Sequence, residues 1–338
     1  AEHDLLACAA FLAESIGSSD GRAQAMRAVV PRYLARGDVD LAAELANTVE
    51  DPFARDRLLI AVAEKCAAVD DEEYALQLID AMDDPGMKGR GRERVGILLA
   101  SQGKIEQARA VADQMDHRDN VLAGIALNQI AEGKIDEAVA TVGEIGFPAS
   151  AAHAFVAMAI ARIDKAETER AVDLLERSLG PAEEIEHEEE RINTLTDIAN
   201  TFLAAGRNDR AIEIYDKARE HADVLDNVHR DNFLATISLG FLRAGSLDLA
   251  DRTLDSVHDK TQIATALLGF ARELWTRGEK PEAMEALDES YAILKSQRES
   301  ETRDSKARFA RFADIAIQYA GFEKGERGHL HRAKPDLH

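Results

Sequence analysis

The stretch Leu195-Thr196-Asp197-Ile198-Ala199-Asn200-Thr201-Phe202-Leu203-Ala204-Ala205-Gly206-Arg207-Asn208-Asp209-Arg210-Ala211-Ile212-Glu213-Ile214-Tyr215 decides the fold. Up to Gly206, the apolar residues Leu195, Ile198, Ala199, Phe202 and Leu203 return at the steps of one helical face. After it, Ala211, Ile214, Tyr215 and Ala218 open a second such face. Glycine ends the first helix because it enters the left-handed conformation without a Cβ clash. The small Ala211, five residues on, lets the second helix lie close to the first. The unit reads as helix A, a tight turn and helix B.

The same pair, a turn-forming anchor with alanine five residues later, recurs along the chain. The pairs are Gly37/Ala42, Asp70/Ala75, Gly103/Ala108, Gly133/Ala138, Ala166/Ala171, Gly206/Ala211, Gly245/Ala250 and Gly278/Ala283. Successive anchors stand 33, 33, 30, 33, 40, 39 and 33 residues apart. Repeats of this period indicate stacked hairpins, each burying its apolar face against its neighbours. The two long periods are expected to come from lengthened helices: Gly180-Pro181 stops one helix B before an acidic helical lead into the next helix A, and residues 219–231 prolong the following helix B. A polar extension at 296–305 reads the same way.

These units resemble the tetratricopeptide repeat family. The sixth matches most closely, with Leu195, Ile198, Ala199, Phe202, Gly206, Ala211, Tyr215 and Ala218 where that family places its packing residues. The resemblance covers roughly residues 22–323 and implies an all-α, right-handed solenoid of about eight antiparallel helical hairpins. The chain departs from the family in its short periods, in lacking the closing proline of most units, and in Asp70 and Ala166 at two anchors. The expected organisation is a capping helix in 1–21, hairpins over 22–306, a second capping helix in 307–325 and a polar tail in 326–338, as one continuous array. Asp314-Ile315-Ala316 repeats Asp197-Ile198-Ala199 and marks that last helix.

Composition agrees with thin layers of helix. Of 338 residues, 46% are apolar but only 5% aromatic, with a single Trp, so Ala, Leu, Ile and Val must fill the core. Two cysteines, Cys8 and Cys66, provide no disulfide framework and read as small core residues. The net charge of -22 repels nucleic acids and anionic membranes, and attracts a basic partner if any. No apolar run is long enough to span a bilayer, and the first residues lack a basic leader region. The expectation is a cytoplasmic protein, or a periplasmic one where a leader has been removed. Twelve lysines against 29 arginines suggest a GC-rich bacterial source.

No catalytic or metal constellation emerges. His187-Glu188 has no histidine four residues on, Asp70-Asp71-Glu72-Glu73 falls at a helix start, and His329, His331 and His338 sit in the tail. No cofactor and no enzymatic activity are expected. One segment differs: Asp84-Pro85-Gly86-Met87-Lys88-Gly89-Arg90-Gly91-Arg92-Glu93-Arg94 gathers basic residues in an acidic chain. It reads as a loop in which Lys88, Arg90, Arg92 and Arg94 could hold an anion.

The resemblance also implies that residues thirteen before each anchor face a concave groove. They are Gln24, Arg57, Arg90, Asn120, His153, Asn193, Asn232 and Thr265, all polar. Asparagine pairs with peptide amides and arginine grips carboxylates, which suits capture of an extended peptide. Arg57 and Arg90 are expected as neighbours, with Glu64 and Glu93 competing for them. The leading reading is a scaffold that binds a protein or extended peptide bearing an acidic group or free C-terminus. The alternatives are a ligand-sensing segment of a larger signalling system, or an all-α toroid enzyme with acids converging on the helix A faces.

Overall fold

The computed structural model describes residues 4–226, 228–296, 310–311 and 313–322. Every regular element among them is an α-helix. The chain divides into two compact units, 1–161 and 162–338.

In the first unit α1 (Leu5–Glu14) packs on α2 (Ser19–Arg36), which pairs with α3 (Val39–Asn47). Three further hairpins follow: α4 (Pro52–Ala68) with α5 (Glu72–Asp80), α6 (Pro85–Ser101) with α7 (Ile105–Ala112), and α8 (Asp119–Ala131) with α9 (Ile135–Val142). Helix α10 (Pro148–Ile163) begins the next. The second unit opens with α11 (Thr168–Glu183), followed by α12 (Glu188–Ala204) with α13 (Asn208–Asp223), α14 (Arg230–Ala244) with α15 (Leu247–Asp255), and α16 (Lys260–Arg277) with α17 (Lys280–Ser296). Each unit is thus a solenoid segment of antiparallel hairpins.

The anchors make the hairpins. Gly37, Asp70, Gly103, Gly133, Ala166, Gly206, Gly245 and Gly278 all have positive φ, between 58° and 90°, and no other described residue does. After each anchor the next amide donates to a carbonyl five residues back, as Arg207 to Phe202 at 2.9 Å and Glu167 to Arg162 at 2.9 Å. That six-to-one bond closes the end of helix A. The alanine five residues on is fully buried in all eight units. Asp70 at 68° and Ala166 at 58° therefore keep the same turn despite carrying a Cβ.

Helix starts are fixed as locally. Asp51 and Asp84 each precede a proline and accept the amide three residues on, Ala54 and Met87, both at 2.7 Å. The core is aliphatic, with Tyr215, Phe202 and Phe241 its largest fully buried rings, and Tyr215 and Phe241 lie 5.7 Å apart. Tyr215 donates its hydroxyl to Asn200 Oδ1 at 2.7 Å.

Four expectations need correction. Residues 219–231 do not all prolong helix B, since α13 ends at Asp223 and α14 begins at Arg230. The basic segment 84–94 is no loop but the first turns of α6, because Asp84 caps it and Gly91 packs where a Cβ would come within 2.9 Å of Ile79. Gly180-Pro181 does not stop helix B: α11 continues to Glu183, drawn on by the burial of Leu179 and Ala182. Cys8 lies exposed on α1, whereas Cys66 is buried and its thiol is pushed up to about 11 by burial and nearby Asp71 and Asp40. At the C-terminal side, Ile315 is buried and the Phe322 ring stacks on Trp275 at 3.9 Å. Residues 297–305 of the polar extension and the tail histidines lie outside the described residues.

Candidate ligand-binding face

Position thirteen before the anchor falls in the early turns of each helix A. In the first unit Gln24, Arg57, Arg90, Asn120 and His153 are exposed on α2, α4, α6, α8 and α10. In the second, Asn193 and Asn232 are exposed on α12 and α14, while Thr265 on α16 is half-buried. Thr265 turns its hydroxyl inward, donating to the Thr261 carbonyl at 2.8 Å, which leaves its hydroxyl proton committed.

Helices α4, α6 and α8 pack side by side, so Arg57, Arg90 and Asn120 stand on consecutive members of one face. The two glutamates of this face are engaged elsewhere. Arg94 donates to Glu64, and Asn120 donates to Glu93. The Arg57 guanidinium instead lies 6.0 Å from the centre of the exposed Phe53 ring. Neither Arg57 nor Arg90 forms an ion pair among the described residues. In a chain of net charge -22 most described arginines form ion pairs, and Arg57 and Arg90 are among the few that do not, with Arg27, Arg32 and Arg272.

The basic segment splits the same way. Arg92 is held by Asp80 at 2.6 Å and Arg94 by Glu64, although Arg92 also lines the cavity described next and its buried Nε has no partner. Lys88 and Arg90 carry no ion pair among the described residues and line a cavity of about 410 Å³. Its other wall is the turn Gln114–His117 that follows α7.

A further set of residues escapes the sequence reading. One position earlier in the register, Asp119 accepts the Gly146 and Phe147 amides at 3.1 and 2.9 Å. Asp231 does the same for His258 and Asp259, at 2.8 and 2.6 Å. Each latches the start of its own helix A to the turn that ends its helix B. Asp56 shares the register and is fully buried, with Arg55 Nε 3.2 Å from Oδ1. Burial alone would raise the Asp231 carboxyl, but the Asp259 and His258 amides and Arg230 outweigh it and hold it below the usual carboxylate value. The legible signal was an aspartate recurring fourteen residues before the anchor.

Among the described residues no cluster of three or more His, Cys, Asp or Glu could hold a metal ion, and no helix is long and apolar enough to cross a membrane.

The hairpins keep the helix–turn–helix plan that the sequence resemblance implies. No protein-family model and no curated protein matches the chain. Among solved structures it is similar to BtubC (BKLC) from P. vanneervenii, at 17% identity over 63% of this chain and 96% of that one, with a TM-score of 0.36. It is also similar to the apo form of RapI, at 13% identity over 90% and 99% of the two chains, TM-score 0.36. The P58(IPK) TPR domain matches at 12% identity over 94% and 98%, TM-score 0.23.

Proposed function

We propose that the chain is a non-catalytic helical-repeat scaffold whose helix A face binds a protein through an extended, acidic peptide segment. The observation that supports this most is the pair Arg57 and Arg90, both exposed, both without an ion pair, and on adjacent helices. A bidentate arginine–carboxylate pair contributes roughly 1.5–3 kcal/mol when partly shielded from water. Asn120 and His153 extend the polar stripe in the first unit, and Asn193 and Asn232 hold the same register within the second. Asparagine side chains offer a donor and an acceptor at once, which matches the alternating groups of a peptide backbone. Extended peptides bind helical-repeat faces without needing to fold, so the ordering entropy they lose is the main opposing term.

The reading is tested by selecting binders from a random-peptide display library against the intact protein, then repeating with Arg57→Glu/Arg90→Glu. Acidic peptides should be enriched by the wild type and bind at least tenfold more weakly to the double variant, with helicity unchanged. A bound small molecule in place of any peptide would favour the ligand-sensing alternative.

A further inference from the structure

The cavity beside α6 stands at a position where two other hairpins place a carboxylate of their own. Asp119 and Asp231 occupy the residue fourteen before the anchor, and each accepts two consecutive amides of the turn that follows helix B. In the third hairpin that residue is Gly89. The corresponding amides are those of Asp116 and His117, and no described group accepts from either. A Cβ built on Gly89 would meet nothing within 4 Å, so the glycine is not imposed by packing. Its backbone is ordinary helix, outside the left-handed set, so conformation does not impose it either. The space is the 410 Å³ cavity, and Gly89, Asp116 and His117 all line it.

From this geometry we infer that the cavity seats a carboxylate supplied from outside the chain, in place of the aspartate that the hairpin lacks. The ligand oxygens accept from the Asp116 and His117 amides, as the Asp119 and Asp231 oxygens do in their own turns. Lys88 and Arg90, unpaired and lining the same cavity, supply the positive charge. Amide and cation donors together make charge-assisted bonds, roughly twice as strong as neutral ones. Two acids also line the space: Glu93, which is bonded to Asn120, and Asp116, whose exposed side chain is free to point to water. A carboxylate has two precedents in this fold at this register, accepting through both oxygens at Asp119 and through Oδ2 alone at Asp231, and phosphate has none. This goes beyond the peptide-binding reading and does not depend on it, because a free dicarboxylate and a peptide acid present the same group.

Amide NMR of the intact protein tests it. Glutarate, acetyl-Ala-Ala-Ala as the free acid, the same peptide as its C-terminal amide, and inorganic phosphate are titrated separately. One or both carboxylates should shift the Asp116 and His117 amides, and the peptide amide should not. Shifts with glutarate alone identify a small-molecule source, and shifts with the peptide acid alone identify a chain end; either supports the seat. Lys88→Gln/Arg90→Gln should weaken the response at least tenfold. Gly89→Asp should supply the missing carboxylate internally, abolish the response and raise Tm by about 2 °C or more. Unmoved Asp116 and His117 amides with both acids would overturn the seat, even where display peptides still bind through Arg57. Undiminished binding by folded Gly89→Asp, or phosphate matching the carboxylates, would overturn it equally. Should Gly89→Asp fail to fold, undiminished binding by Lys88→Gln/Arg90→Gln would do so.

Discussion

Arg94 of α6 reaches back to Glu64 of α4 and ties two neighbouring A helices by an ion pair. Arg57, two turns before Glu64 on α4, forms no ion pair among the described residues. The pair itself is half exposed, so its contribution to stability is small.

Arg94→Ala should therefore leave the fold almost untouched, within about 1 kcal/mol by urea denaturation. It should free Glu64 to neutralise Arg57 and weaken acidic-peptide binding several-fold. Equal loss from Arg94→Ala and from Glu64→Ala/Arg94→Ala would assign the effect to Arg94 alone and refute the competition.

Ala166 holds φ 58° where six other anchors are glycine. A left-handed residue with a Cβ costs roughly 1–2 kcal/mol, offset in part by the greater freedom of glycine in the unfolded chain. Ala166→Gly is expected to raise stability by about 1 kcal/mol, read from the urea midpoint at constant slope. A loss of stability would mean that the turn does not carry this strain.

Gly240 lies against the Tyr215 ring so closely that an added Cβ would come within 2.5 Å of ring carbons. Because that ring is fully buried and tied to Asn200, it has no room to retreat. Gly240→Ala should cost on the order of 1–3 kcal/mol by overpacking. Gly180→Ala, where an added Cβ meets nothing, serves as the control and should not destabilise.

The Asp231 latch should show in acid. Its carboxyl is held below the usual value in the folded chain, so its stabilising contribution is present above about pH 4 and is lost as pH falls through the lowered folded value. Asp231→Asn keeps one acceptor oxygen and loses the charge. The variant should be less stable than wild type at pH 7 by roughly 1–2 kcal/mol, with the gap closing in stronger acid. A gap that stays constant down to pH 2 would contradict the assignment.

The hairpin plan was legible because it is written in local chemistry. A left-handed turn and a buried alanine five residues on constrain residue type wherever they occur, and Asp70 and Ala166 read correctly only through their register with the glycines. Helix limits were less legible where tertiary burial outweighed local breakers: Pro181 reads as a stop, but Leu179 and Ala182 are buried on either side of it and carry the helix past. Likewise the three glycines of the basic segment look like loop, while Asp84 and Pro85 mark a helix start in plain sight. The polar stripe was visible as a register of residue types. What could not be read was which cations are already spent, since the Arg94–Glu64 and Arg92–Asp80 pairs join residues 30 and 12 positions apart on different helices.

The most direct measurement of the central claim is the affinity of one display-selected acidic peptide for the wild type and for folded Arg57→Glu/Arg90→Glu, taken by titration calorimetry at fixed salt. The account predicts a Kd at least tenfold higher for the double variant, and a smaller difference as salt is raised. An unchanged Kd, with circular dichroism showing native helicity, would contradict the assignment of the helix A face as the binding surface.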